Sequence, residues 1–128
     1  MIRFFALLMM AFALSPASAA TFLIGVDDLP LMDGLVESSE EALSFDKPDG
    51  RIVRTSATGP VAPEEVRRFY VETLPQLGWI SAPDNNGGGE TEQVLIFERE
   101  RERLRIATHA PRQAATQMIR VHFSIEPN

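Results

Sequence analysis

His109 and His122 are the only imidazoles in the chain, and no cysteine accompanies them. Neither stands in an HxH, HExxH or other paired metal-ligand spacing, so a metal centre would need carboxylates from distant parts of the chain. Without cysteine there is no disulfide framework, thiol catalysis, zinc ribbon or haem-attachment motif. No GxSxG elbow presents a serine nucleophile. Asp27 and Asp28 are adjacent, and in an extended segment their carboxylates point to opposite sides, a poor start for an acid/base pair. Asp84, Asn86 and Glu90 flank a triple glycine and offer oxygen ligands for calcium, but the EF-hand spacing is missing. No GKS or GKT follows that would make the glycines a phosphate loop, so the segment reads as a connector. These patterns assign no catalytic residue, no metal ligand and no cofactor.

The elements that would position any site are clearer. Pro63 suits the first helical position, Glu64 and Glu65 suit the positive end of the helix dipole, and Val66, Phe69, Tyr70, Leu74 and Leu77 recur on one helical face. Pro75 ends the regular helix and Gly78 supplies its stop, with Trp79 opening a strand. This placement makes Phe69, Tyr70 and Trp79 core residues rather than a stacking platform. Upstream, Leu43 and Phe45 alternate with polar neighbours. Lys47-Pro48-Asp49-Gly50 then reads as a type I turn, and Arg51 to Thr58 resumes as a strand, which predicts a hairpin.

Downstream of the glycines, Ile119, Val121, Phe123 and Ile125 alternate strictly with Met118, Arg120, His122 and Ser124, the signature of a half-buried strand. In FERERERLRI two readings compete. A continuous helix puts like charges at the i,i+4 pairs Glu98/Glu102 and Arg99/Arg103, although its i,i+3 pairs are opposite. A turn at Glu100 and Arg101 sets Phe97 opposite Leu104, Leu95 opposite Ile106 and Glu98 opposite Arg103. Apolar then meets apolar and acid meets base, which favours the hairpin, although its turn lacks the usual Gly or Asn.

The chain opens with Arg3, an apolar run from Phe4 to Leu14, and small residues up to Ala19 and Ala20, the three parts of a secretory signal peptide. The run stops at Pro16, short of the roughly 20 apolar residues that span a bilayer. Residues 1–20 are therefore expected to be cleaved, leaving no membrane span and a periplasmic or secreted product. Residues 21–50 carry eight acids against Lys47 alone, while residues 51–128 balance ten against ten. That distribution argues against nucleic-acid binding, which needs positive charge facing phosphates.

Three segments, FDKPDGRIV, FYVETLPQLGW and FERERERLRI, in this order resemble those of small exported bacterial proteins of unknown function, a similarity that spans roughly residues 27–125 and implies no activity. The expected fold is α+β: a hairpin, one helix, then a meander of about four antiparallel strands, with the helix packed on one face. Residues 21–41 are expected as an extended N-terminal arm before a single domain at 42–128. The architecture is similar to cystatin-like folds by analogy only, and the QxVxG loop of cystatin-type inhibitors is absent.

The sheet face away from the helix should present Val94, Ile96, Arg103, Arg105, Met118, Arg120 and His122, an apolar and basic mixture, while the arm is apolar and acidic. Asp27, Asp28, Leu31, Arg105, Arg120 and His122 are thus candidate binding residues, the arm lying on this face or vacating it. The functional expectation is a non-catalytic exported domain that binds a protein or other envelope component. The alternative is a small enzyme or ligand carrier whose site is assembled only in the fold. Partner identity and oligomeric state stay open at this level.

Overall fold

The computed structural model describes residues 20–84, 89, 92–111 and 118–128. The expected signal peptide, apart from Ala20, and most of the glycine-rich connector lie outside these residues. In chain order the elements are β1 (Thr21–Leu23), β2 (Val26–Leu31), β3 (Val36–Glu37), β4 (Leu43–Lys47), β5 (Gly50–Gly59), α1 (Pro63–Thr73), a 3-10 turn (Leu74–Leu77), β6 (Ile80–Ala82), β7 (Glu92–Arg99), β8 (Glu102–His109) and β9 (Ile119–Pro127). Apart from the small β1-β2 ribbon, the strands form one seven-stranded antiparallel sheet in the order β3-β5-β9-β8-β7-β6, with β4 also pairing with β5.

The helix starts and stops where side-chain chemistry requires. Pro63 is its first residue, and the Glu65 carboxylate accepts the Ala62 N–H at 2.8 Å, half of a capping box. After the 3-10 turn, Gly78 takes φ of 85°, the left-handed conformation that ends a helix without steric cost in glycine. Val66, Tyr70 and Leu74 are buried and face the sheet. On the sheet, β7 and β8 pair as Phe97 with Leu104, Leu95 with Ile106 and Glu98 with Arg103, the hairpin register that apolar and charge matching selects. The turn residue Glu100 takes φ of 52°, a position that Gly or Asn usually fills. Next to it, β9 buries Ile119, Val121, Phe123 and Ile125 on the helix side. The α+β expectation of one helix on an antiparallel sheet holds.

Residues 21–41 do more than extend. β1 and β2 form a hairpin that turns at Gly25, with φ of 73°. Leu23, Val26, Leu29 and Leu35 enter the same hydrophobic cluster as Val66, Tyr70, Leu74 and the inward residues of β9. The arm therefore lies on the helix side of the sheet. Three polar contacts fix it there: the Tyr70 hydroxyl donates to the Pro30 carbonyl at 3.0 Å, and the Glu37 carboxylate accepts the Ile24 N–H at 2.7 Å and the Thr55 hydroxyl at 2.6 Å. At the top of β5, Gly59 lies so close to the Gly34 carbonyl that any Cβ would collide with it.

A solvated tail and a core element respond differently to truncation. Leu29 is 1% exposed, so Leu29→Ala should cost about 2–5 kcal/mol in chemical denaturation, against under about 0.5 kcal/mol for an exposed surface change.

Candidate functional site

Two charged constellations occupy opposite faces of the sheet. The first closes the core at one end. Strand alternation places Arg51, Arg99 and Glu102 on the helix-facing side, where Asp28 of β2 meets them. Arg51 donates to Glu102 at 2.6 Å through Nε and to both Asp28 oxygens at 3.2 Å through Nη2. Arg99 donates to Asp28 and, at 3.3 Å, to Glu102. Two acids and two bases thus alternate in a neutral ring. The Arg99 guanidinium also lies 4.2 Å over the Trp79 ring, whose face attracts a cation. Partial burial opposes ionisation of Asp28, but the hydrogen bonds from Arg99 and Arg51 outweigh it and hold its carboxyl below the ordinary carboxylate range.

The second constellation spreads over the outer face, opposite α1. Period-two alternation along β5, β9 and β8 brings Arg54, Arg120, Arg103 and Arg105 to this face. Each has a glutamate partner: Arg54 with Glu126 at 3.0 Å, Arg120 with Glu41 at 3.3 Å, Arg103 with Glu98 at 3.4 Å and Arg105 with Glu92 at 3.0 Å. All four arginine side chains are between 42% and 63% exposed, while their glutamates range from half-exposed Glu126 and Glu41 to the more covered Glu92. Between them stand the two histidines. His109 and His122 lie on neighbouring strands with ring centroids 5.2 Å apart, and His109 reaches Glu92 at 3.4 Å. Partial burial, with His109 and Arg120 nearby, holds His122 below its ordinary value. A hollow of about 250 Å³ opens among Glu41, Arg54, Arg105, His122 and Ser124. It adjoins a depression of about 530 Å³ that shares Arg105 and Ser124 and extends to Ile96 and Arg103.

The outer face also sets a serine, a histidine and a glutamate side by side, since Ser56 of β5 pairs with His122 of β9 and its hydroxyl donates to Glu41. Acyl transfer needs a serine whose proton passes to the histidine and whose oxygen can reach a substrate. Here the proton is given to the carboxylate, and Ser56 is 2% exposed. The hydrogen bond from Ser56, against a smaller desolvation effect, keeps the Glu41 carboxyl below the ordinary range, with Arg120 adding to it. Among the described residues, no three His, Asp or Glu groups converge as metal ligands.

The candidate residues read from the sequence divide between the two faces. Arg105, Arg120 and His122 share the outer face. Asp28 belongs to the ionic ring, Leu31 packs partly buried against the core, and Asp27 is exposed on β2. The arm's apolar side chains are spent in the helix-side core, and Asp28 stays in the ionic ring, so of this segment it is Glu41, at its end, that reaches Arg120 on the outer face. In the sequence, His109 and His122 share no paired spacing, and Glu41, Glu92, Arg51, Arg99 and Glu102 stand in no site motif. One signal could have joined the histidines. Matching β8 to β9 by apolar pairs, Ile106 with Phe123 and Leu104 with Ile125, sets Ala107 against His122 and His109 against Arg120.

In comparisons with known proteins, no family model, curated protein or solved structure matches this chain. No helix among the described residues is long and apolar enough to cross a membrane.

Two pH responses follow. Asp28 titrates lower in the folded chain than its ordinary 3.8, so its contribution is full above that value and fades as pH falls through the folded pKa. Asp28→Asn should therefore be destabilised at pH 7 relative to the parent, with the two chains converging in urea titrations as pH falls through the lowered pKa of Asp28. His122 works in the same direction: the unfolded chain binds its proton near 6.5 and the folded chain only at lower pH, so acidification below 6.5 weakens the fold. His122→Gln should flatten the stability profile between about pH 7 and pH 5, which denaturation midpoints at each pH will show.

Proposed function

We propose that this is a non-catalytic exported domain that recognises an acidic envelope protein or component through the outer sheet face. The observation that carries the reading is the set of four half-exposed arginines on three adjacent strands, each held by a glutamate, with the Arg54–Glu126 and Arg120–Glu41 pairs the most open to water. Exposed pairs of this kind contribute only about 0–1 kcal/mol each to folding. Exchanging a glutamate for a partner's carboxylate therefore costs the fold little. Guanidinium forks bind carboxylates and phosphates in two-toothed fashion, and the pairs strengthen as docking excludes water. The hollow at Arg54, Arg105, His122 and Ser124 gives an incoming acidic group a place to sit. The charged, apolar and small-residue blocks of residues 1–20 support export, with the secreted chain starting at Ala20 or Thr21.

The test uses the secreted chain as bait on the envelope fraction, beside an Arg105→Glu/Arg120→Glu variant. The arm cannot be removed as a control, because it supplies core residues. A specific partner should bind the variant at least tenfold more weakly and should be released from the parent as salt rises. Equal binding to both chains, or binding that ignores salt, would overturn the reading. Terminal sequencing of the exported product checks the cleavage point.

A further inference from the structure

We infer that β4 is a self-association edge, on which a second copy of the chain pairs its own β4 antiparallel about Phe45. All five residues of Leu43–Lys47 are exposed, and β4 pairs with β5 on one side alone among the described strands. Such an edge carries unpaired N–H and C=O groups ready to accept another strand. Edge strands are commonly protected by charge, a bulge or a covering segment; this one carries Asp46 and Lys47 at its turn end but presents apolar surface beside them. Phe45 and Leu43, which pair with Ile52 and Arg54 of β5, are 42% and 48% exposed on the outer face. On the other face the β1-β2 turn comes up to Ser44 and offers Ile24, 56% exposed. Val36 of β3, at the same sheet edge, is 71% exposed.

The sequence of β4 identifies the occupant as another copy. With Phe45 on a two-fold axis all five residues overlap, and each meets a compatible neighbour. Phe45 faces Phe45 as an aromatic pair, Ser44 faces the carboxylate of Asp46, and Leu43 faces the aliphatic stem of Lys47. Sliding by two residues either way leaves only three residues of the strand paired, and toward the turn it also sets Asp46 against Asp46. A two-fold perpendicular to the sheet also sets the outer faces of both copies side by side. Each copy carries net charge −6 on the full chain, with the excess of acid over base lying before residue 51, so association opposes electrostatic repulsion. It should therefore tighten as salt rises, the reverse of the arginine-dependent recognition proposed above. The two readings rest on different residues and fail separately.

The absence of cysteine makes the test direct, because Phe45→Cys carries the sole thiol in the molecule. Directly opposed residues across an antiparallel pair have Cβ atoms about 4.5–5.5 Å apart, within a small adjustment of the roughly 3.5–4.5 Å that a disulfide spans. Mild oxidation should convert Phe45→Cys to a covalent dimer in high yield, while Ile80→Cys, on the opposite edge and 73% exposed, stays monomeric. Sedimentation of the unmodified protein should show a monomer–dimer equilibrium that strengthens between 50 and 500 mM NaCl and weakens at least tenfold in Phe45→Lys. Circular dichroism of the reduced variants confirms that the fold is kept. A parent chain that stays monomeric to about 1 mM, equal crosslinking at positions 45 and 80, or a dimer indifferent to Phe45→Lys would each overturn the assignment. A monomer whose β4 instead captures a strand of another protein would overturn it too.

Discussion

An eleven-residue helix is about 16 Å long and about 10 Å across, whereas six strands side by side span about 24 Å, so α1 cannot cover the sheet it packs on. Some other part of the chain must exclude water from the remaining inward face. That shortage of helix explains why residues 21–35 carry so many apolar side chains between their three aspartates, why they turn at Gly25, and why Leu23, Val26, Leu29 and Leu35 join one cluster with the helix and strands. It also explains the polar fastenings. A segment with only a two-stranded ribbon of its own needs long-range ties, and Tyr70, Glu37 and Asp28 provide them from the helix, β3 and β2.

Local periodicity was legible wherever one face of an element is wet and the other dry. The helix from Pro63, the β9 alternation and the β7-β8 register were all readable because each repeats a single rule over several residues. The place of the arm was not, since its apolar residues follow neither period and its partners lie far along the chain. Asp28 illustrates the point: its charge is obvious in the sequence, but Arg51 is 23 residues away and Arg99 71 residues away. The outer-face residues Arg105, Arg120 and His122 were placed correctly by alternation alone. Their glutamates were not, because Glu41 arrives from the bend before β4 and Glu92 from the start of β7.

The two charged sets differ in the work that solvent leaves to them. In the ring at the base of the core, the arginine and glutamate side chains are 20–23% exposed, so breaking one contact leaves a neighbour short of a partner in poorly solvated surroundings. On the outer face the Arg54–Glu126 and Arg120–Glu41 groups keep water as an alternative, and loss of either pair is nearly neutral. Evolution can therefore alter the outer array without unfolding the domain, while the ring tolerates change only when its members change together.

Trp79 is the single tryptophan of the chain, 1% exposed and capped by the Arg99 guanidinium. An indole in that position emits at short wavelength while its surroundings stay dry, and a cation resting on its face moves with the ionic ring. Intrinsic fluorescence thus watches one defined spot, the junction of helix exit, β7 and arm. The molecule carries its own optical gauge of whether the arm is seated, with no label attached.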